Sequence, residues 1–352
     1  MPLLARMLTA PLQVEVSAGA ISRLSELLAD CRVSRQGQVA VVVGTGVGPS
    51  VVEALADQFD PSRIVAVGRG TVDEAIELAG RLNSEAVDAV VGIGGGRTLD
   101  VTKFTATRLG LPMVAVATSL AHDGIASPVS VLHHGQSRRS YGVAAPAAIM
   151  VDLDFVSRAP DHFLRSGIGD VVSNISAIAD WRLAHETLGE PIDGVAVALA
   201  STAAEAVVAQ SGTKNDVAFL RCLAESLVLS GMAMSAAGTS RPCSGACHEI
   251  SHALDHLYPG TASHGEQVGV GALFATFLRG DFVVLDDLVR VFRRHGLPTT
   301  PGELGIEPQQ FVEAVLFGPA TRPDRFTVLE HLSLDERSAL SAYHAYIERV
   351  GP

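Results

Sequence analysis

The chain contains 352 residues, of which 47% are apolar, and its formal net charge is −12. This length predicts two domains, and the apolar fraction argues against a largely disordered chain. The acidic balance argues against nucleic acid or an anionic membrane surface as a partner, since both favour a basic face. An anionic small molecule stays open as a substrate, because a local site can oppose the global charge.

Targeting and membrane signals are not evident in the sequence. Arg6, Pro11 and Gln13 interrupt the apolar N-terminus, which argues against a signal peptide. Every stretch of about 18 residues contains charged or polar interruptions, so we expect no transmembrane helix. The cysteines are too few for a disulfide framework: Cys31, Cys222, Cys243 and Cys247. We therefore expect a reduced, cytoplasmic protein without membrane insertion.

The N-terminal part alternates short β-branched runs with segments of helical periodicity. The predicted strands are 38–44, 63–68, 88–96 and 112–119, and the predicted helices between them are 50–59, 72–83 and 98–110. This order predicts a mostly parallel, doubly wound sheet, in which ligands bind beyond the carboxyl ends of the strands. Residues 128–152 predict a hairpin around Gly135 and a strand that returns to the sheet.

After about residue 157 the pattern becomes helical. Apolar residues with a 3.6-residue period fill 161–184, 194–210, 216–237 and 265–280. The predicted fold is therefore an α/β domain with a Rossmann-like parallel sheet, residues 1–157, followed by an all-α domain, residues 158–352. We expect the active-site cleft between them.

Two glycine loops follow predicted strands, at Gly44–Gly48 and Gly94–Gly96. Such loops let backbone N–H groups approach a pyrophosphate at a helix N-terminus. An ordinary strand-to-helix turn stays open as an alternative for the first loop. The second has three consecutive glycines, which predicts close backbone approach. Arg69, after the second predicted strand, would suit a 2′-phosphate and so NADP.

Histidines recur late in the chain with helical spacing. His248, His252 and His256 lie four residues apart, and His264 follows. Three such groups and an open position are typical of catalytic zinc. Asp170, in a segment of small and apolar residues, could add a carboxylate, and a helix-start cap is the alternative for it.

The segment from Cys247 to His256 also allows other interpretations. His248 and His252 match the H-E-x-x-H pattern, in which Glu249 would be the general base of a zinc peptidase. The motif is short, and nothing else in the chain indicates a peptidase. Cys243 and Cys247 with His248 could form a soft metal cluster, or the two cysteines could simply be buried.

Five segments together resemble glycerol-1-phosphate dehydrogenases, within the larger group of metal-dependent alcohol dehydrogenases, glycerol dehydrogenases and dehydroquinate synthases. They are "GIGGGRTLDVTKFTA" (92–106), "ATSLAHDGIASPVS" (117–130), "RSGIGDVVSNISAIADW" (165–181), "SRPCSGACHEISHALD" (240–255) and "HGEQVGVG" (264–271). The family's fold agrees with the fold predicted from the pattern. The resemblance implies that residues 1–157 bind a nicotinamide dinucleotide and that residues 158–352 bind metal and substrate.

The resemblance also implies individual roles. Asp170, His248 and His264 match metal ligands, and Asp170 is a possible substrate contact as well. His252 and Asp123 match substrate contacts and are the candidate catalytic residues; His252 could supply a proton near neutral pH. The residues that match the cofactor site are Gly94, Gly95, Gly96, Arg97, Thr98, Leu99, Asp100, Thr118, Ser119, Leu120, Ala121 and Ser127.

Three positions bear on the branch of the family. Lys103 matches a lysine of the dehydrogenase branch, although a solvated helix residue is the alternative. Cys247 replaces a glutamate of the usual segment. Asn174 stands where iron-dependent members place another histidine, which favours a three-ligand site for Zn²⁺ or another divalent ion such as Ni²⁺.

The implied reaction is reversible hydride transfer between NAD or NADP and dihydroxyacetone phosphate, which gives sn-glycerol 1-phosphate. Alternatives are another phosphorylated ketose or polyol, glycerol, a dehydroquinate-synthase-like carbocyclase, or a non-catalytic sensor. A carbocyclase would be expected to need more basic residues for its phosphate, and the chain has only two lysines, Lys103 and Lys214. Arg97 and Arg241 are candidates for the phosphate, although structural or cofactor-facing roles are the alternatives. The resemblance also implies a homo-oligomer.

Overall fold

Six parallel strands form the sheet that organises the N-terminal part of the protein. The computed structural model describes residues 9–135 and 137–351. The expectation that no signal peptide is present falls partly on residues 1–8, outside the described residues. The described residues contain eight strands: β1 (Gln13–Ser17), β2 (Val39–Gly44), β3 (Ile64–Val67), β4 (Ala89–Gly94), β5 (Met113–Ala117), β6 (Val129–His134), β7 (Ser137–Gly142) and β8 (Ala148–Asp152). Strands β6 and β7 pair antiparallel as a separate hairpin, as predicted, and the other six form the sheet.

The sheet order is β1-β8-β5-β4-β2-β3, with every neighbouring pair parallel. Strands β2, β4, β5 and β8 are buried along their whole length, as their β-branched sequences predict for a sheet covered on both faces. The predicted return of the chain to the sheet after the hairpin is confirmed by β8. Strand β1 was not predicted, because its partly exposed edge position leaves a weak apolar pattern.

Helices connect the strands of the sheet and predominate after β8. They are α1 (Leu24–Leu28), α2 (Gly48–Leu55), α3 (Val72–Ser84), α4 (Gly96–Leu109), α5 (Leu153–Arg158), α6 (Asp161–Val172), α7 (Asn174–Leu188), α8 (Gly194–Ala209), α9 (Val217–Ala237), α10 (Ala246–Leu257), α11 (His264–Leu278), α12 (Phe282–His295), α13 (Pro308–Thr321), α14 (Val328–Leu332) and α15 (Glu336–Val350). The predicted fold class, a parallel sheet followed by a helical portion, is confirmed.

The described residues divide into two units. The first contains the chain up to Pro160 together with Lys214–Ala236, and the second contains Asp161–Thr213 and the residues from Ala237 onward. This division differs from the predicted boundary after residue 157, because nearly all of α9 belongs to the first unit. Its Gly231 approaches the backbone of Ala126 so closely that an added Cβ would lie 2.6 Å from the Ala126 carbonyl carbon.

Helix α9 is also the one described helix that is long and apolar enough to span a bilayer, and 61% of its most apolar window is buried inside the protein. Its apolar character therefore has a packing explanation within the first unit. Periodicity could not assign α9 to a unit, since a buried helix of either unit would show the same pattern.

Lys103 is buried completely in α4. Its ammonium group lies 3.1 Å from the Asp100 carboxylate and donates to the carbonyl groups of Ser127 and Val129. The hydroxyl of Ser130 donates to the Asp100 carbonyl, so the same turn of α4 also holds the start of the β6–β7 hairpin. The alternative that Lys103 is a solvated helix residue is therefore wrong.

We expect the substitution Lys103→Met to destabilise the protein by about 3–5 kcal/mol, because it leaves the buried Asp100 carboxylate without its cation. Urea denaturation would measure the loss. Arg108→Ala, an exposed position on the same helix, is the matched control and should change stability by less than about 0.5 kcal/mol. Equal stabilities for the Lys103 variant and the wild type would contradict this account.

Candidate metal and cofactor sites

Glycines bring α6 and α11 into backbone contact in the second unit. A Cβ on Gly169 would lie 2.1 Å from the Gly265 carbonyl oxygen, and a Cβ on Gly265 would lie 1.8 Å from the Ser166 carbonyl oxygen. Any side chain at either position would separate the helices. The residue after Gly169 is Asp170 and the residue before Gly265 is His264, so this crossing places two predicted ligands side by side.

Helix α10 is held against α11 in the same way. A Cβ on Gly271 would lie 2.7 Å from the Cys247 carbonyl oxygen. The start of α10 is fixed by the buried Asp180, which accepts the Ala246 N–H at 2.8 Å and is paired with Arg279 at 2.7 Å. These contacts position His248, in the first turn of α10, beside the α6–α11 crossing.

Asp170, His248 and His264 form one cluster. Their candidate donor atoms all lie within 4.8 Å of one another. The Nε2 atoms of both histidines lie 3.8 Å from Asp170 Oδ1, and the side-chain exposures are 13% for His248, 25% for His264 and 5% for Asp170. Asp170 lies in the last turn of α6, so the alternative that it caps a helix start is wrong. One carboxylate and two imidazoles suit a divalent transition metal with an open position.

Hydrogen bonds orient the imidazole of His264. The Ser251 hydroxyl donates to Gln267 Oε1 at 2.8 Å, and its oxygen lies 3.3 Å from His264 Nδ1. Because the hydroxyl proton is used on Gln267, the Ser251 oxygen accepts from Nδ1–H, and this tautomer turns the Nε2 lone pair toward Asp170. Gln267 is itself held by Asp255 and Thr261. Ser251 and Gln267 were not predicted from the sequence, although each follows a predicted ligand by three residues on the same helix face.

His248 is oriented by Cys247, whose sulfur lies 3.4 Å from His248 Nδ1. Burial raises the pKa of the Cys247 thiol to about 12, so the sulfur remains a neutral thiol. Burial also lowers the pKa of His248 well below its usual value, and the charges of His264, His252, Arg325 and Arg322 lower it further. A neutral imidazole at physiological pH is the form that binds metal.

The other residues of this segment lie outside the cluster. The ring of His252 lies 6.2 Å from that of His248 and 6.5 Å from that of His264, while His256 stacks on Phe317 at 5.2 Å. Glu249 is buried and accepts a hydrogen bond from Thr327 at 3.0 Å, and burial raises the pKa of its carboxyl to about 8. A peptidase would need His252 in the donor set and Glu249 beside it, so this arrangement does not support a peptidase.

The structure also shows the surroundings of the two cysteines and of Asn174. Cys243 and Cys247 are both buried, and within the described residues the group of three metal donors is the one that contains Asp170, so the soft cysteine cluster is not formed. Asn174 is buried, and its Nδ2 donates to the Ala200 carbonyl at 3.4 Å.

In the first unit, the predicted cofactor loops meet at the point where the strand order reverses. The chain runs from β2 outward to β3, then crosses to β4 on the other side of β2. Crevices at such switch points are the usual nucleotide sites. Thr98 fills the space between these two strand ends: a Cβ on Gly44 would lie 2.5 Å from its hydroxyl, and a Cβ on Gly94 would lie 2.7 Å from it.

His122, which was not predicted as a site residue, lies against the start of α4. A Cβ on Gly96 would lie 2.1 Å from His122 Nε2, and the His122 Nδ1 accepts from the Gly124 N–H at 3.0 Å. Burial lowers its pKa. Its position in the sequence could have indicated this, because it lies between two predicted site residues, Ala121 and Asp123, shortly after β5. The remaining glycine of the loop is Gly95. A Cβ added there would lie only 3.0 Å from the Ser119 hydroxyl oxygen, so a larger residue would crowd Ser119.

Several predicted cofactor residues are buried, and this limits what their side chains can do. Leu99 and Leu120 are core residues, while Thr118, Ser119 and Ser127 are buried polar residues. Leu99 and Leu120 could therefore contact a cofactor only through the backbone. Asp123 begins a short 3-10 helix, and its carbonyl accepts from the backbone of Ala126 and Ser127; its role as a substrate contact stays a prediction.

The two arginines considered for a phosphate have different surroundings. Arg241 is buried, ion-paired with Glu190, and donates to the Phe326 carbonyl at 3.0 Å. Arg97 is exposed and donates to the Gly68 carbonyl at 3.3 Å, at the end of β3. Arg241 is therefore structural, whereas Arg97 stays a candidate for a phosphate. Arg69, which the sequence predicts as a partner for a 2′-phosphate, is exposed and ion-paired with Glu74 and Glu77.

Comparison with known proteins agrees with this geometry. A profile of the iron-containing alcohol dehydrogenases matches residues 15–160. A glycerol-1-phosphate dehydrogenase, NAD(P)+, from Thermofilum pendens is 40% identical, covering 93% of this chain and 94% of that protein. One from Hyperthermus butylicus is 36% identical, covering 94% of this chain and 95% of that protein. This chain belongs to the glycerol-1-phosphate dehydrogenase family.

Membership in this family makes the protein an NAD(P)-dependent oxidoreductase, and residues 15–160 are similar to the iron-containing alcohol dehydrogenases. The fold is also shared with a glycerol dehydrogenase from Schizosaccharomyces pombe, with a TM-score of 0.76 and 20% identity over 98% of this chain and 91% of that chain. The resemblance of the five sequence segments to this family is thereby confirmed.

We expect His264→Ala to lose bound metal after dialysis, because the donor set then has only one carboxylate and one imidazole. His252→Ala and His256→Ala, on the face of α10 that the H-E-x-x-H pattern suggested, should keep their metal. Elemental analysis of the three purified variants measures this. Unchanged metal content in the His264 variant would show that the metal lies elsewhere.

We expect Ser251→Ala to weaken metal binding about 10- to 100-fold, since loss of an orienting partner typically costs that much. Competition with a chromogenic chelator measures the affinity, and thermal unfolding of the metal-free protein separates this effect from lost stability. The matched control is His256→Ala. Wild-type affinity in the Ser251 variant would remove the orienting role.

Proposed function

We propose that this protein reduces dihydroxyacetone phosphate to sn-glycerol 1-phosphate with NADH or NADPH, and catalyses the reverse oxidation. The observation that carries the proposal is the cluster of Asp170, His248 and His264, in a chain whose relatives are named glycerol-1-phosphate dehydrogenases. Reduction consumes one hydride and one proton for each carbonyl.

The second unit would hold a divalent metal through Asp170, His248 and His264. When bound, such an ion supplies Lewis-acid polarisation of the substrate carbonyl. The donor set fits this role, because both histidines have Nδ1 directed at a partner and Nε2 turned toward Asp170. Zn²⁺ is our first choice, and Ni²⁺ is an alternative with the same donors.

His252 is the proposed proton donor to the product oxygen. It lies one helical turn after His248, close to the cluster and outside the donor set. An imidazole can exchange a proton near neutral pH, where a carboxylate or an ammonium group would be fixed in one form.

The first unit would bind the nicotinamide dinucleotide, which supplies the hydride. Gly94, Gly95 and Gly96 would present backbone N–H groups to the pyrophosphate, at the N-terminus of α4. Arg69, directly after β3, and Arg97, which donates to the Gly68 carbonyl there, are the proposed partners of the 2′-phosphate of NADP, and NAD would bind the same loops without it. The proposal further includes a cytoplasmic location, a homo-oligomeric state, and no nucleic-acid or membrane partner.

The test is NAD(P)H oxidation by the Zn²⁺-loaded protein. We expect consumption with dihydroxyacetone phosphate, weaker consumption with dihydroxyacetone and other ketose phosphates, and loss of activity with a chelator that added Zn²⁺ restores. His252→Ala should retain metal and lose most turnover. No consumption with dihydroxyacetone phosphate would overturn the proposed substrate, and turnover without net nicotinamide change would favour a carbocyclase.

A further inference from the structure

Helix α13 runs antiparallel along α10, the helix that carries His248. The Tyr258 hydroxyl donates to Glu313, and His256 stacks on Phe317. A Cβ on Gly318 would lie 3.5 Å from the Cβ of Glu249. The C-terminal end of α13 therefore lies beside the first turn of α10. Arg322 lies one turn beyond Gly318, at the end of α13, which brings it to the level of the first turn of α10, where His248 lies.

The loop after α13 is fastened to the start of α10. Arg325 donates to the Ser244 carbonyl and, at 3.0 Å, to the Ser240 hydroxyl. Thr327 donates to Glu249 at 3.0 Å. Arg325 is thus used in holding the loop, and its position relative to α10 is fixed.

Arg322 is different from Arg325. Within residues 9–135 and 137–351, its side chain makes no hydrogen bond or ion pair, and its Nε atom is buried without a partner. The residue as a whole is only partly buried. A guanidinium with a buried donor left unsatisfied is costly unless an acceptor arrives.

We propose that Arg322 binds the phosphate group of the substrate, beside the metal ligand His248. A phosphate monoester is a dianion whose oxygens match the planar fork of a guanidinium. This cation would provide the local positive site that an anionic substrate needs in a protein of net charge −12. The inference rests on the function proposed above and adds the residue that distinguishes a phosphorylated ketone from an unphosphorylated one.

The test compares Arg322→Ala and Arg322→Lys with the wild type. We expect Arg322→Ala to raise KM for dihydroxyacetone phosphate about 10- to 100-fold, the effect of losing one charge-assisted interaction. KM for dihydroxyacetone should change less than about twofold. Arg322→Lys keeps the charge without the fork and should give an intermediate KM. Calorimetric titration with sn-glycerol 1-phosphate should show a parallel loss of affinity, whereas glycerol should not.

The matched control is Arg337→Ala, an exposed arginine on α15, which should leave every constant unchanged. If wild-type protein turns over dihydroxyacetone phosphate and Arg322→Ala keeps its KM and its calorimetric affinity, the phosphate assignment is wrong. A lower melting temperature with unchanged discrimination would also overturn it, and would leave Arg322 only a role at the C-terminus of α13. Failure of the wild type to use any phosphorylated ketone would refute the proposed function instead.

Discussion

The backbone contact between α6 and α11 is the constraint on which the candidate metal site depends. Gly169 and Gly265 have no space for a Cβ, so the two helices cross at the distance that only glycine permits. Asp170 and His264 are the adjoining residues, and they meet because their neighbours have no side chains. Gly271 does the same for α10. A methyl group at any of these positions would displace the helix that bears a ligand, with no direct change to the ligand.

Orientation is the second requirement, and hydrogen bonds to Nδ1 provide it. His264 is held by Ser251 and Gln267, and His248 faces the Cys247 sulfur. The family's usual glutamate at position 247 would carry a charge in this buried place. The Cys247 thiol, with a pKa of about 12, carries no charge. A buried cysteine at this position therefore places no unpaired charge beside the two imidazoles.

The first unit uses buried charge differently. Lys103 and Asp100 are both buried, and Lys103 is surrounded by acceptors that fix the turn of α4 to residues 127–129. Those residues include Ser127, a predicted cofactor contact. Helix α9 packs against the same segment through Gly231. A family-matching lysine thus supports the predicted cofactor segment through backbone carbonyls.

The sequence alone determined the alternation of strands and helices and the glycine loops, because periodicity and local turn chemistry depend on neighbouring residues. The set of three clustered donors was implied by the resemblance of whole segments to a known family, since helical spacing alone left four histidines as candidates. It did not determine the strand order, the assignment of α9 or the state of Lys103. It also could not reveal that Thr98 fills the space between two strand ends, or that the end of α13, with Arg322, lies level with the first turn of α10. These features depend on residues that lie tens of positions apart in the chain, and only side-chain packing in the folded protein decides which of them meet.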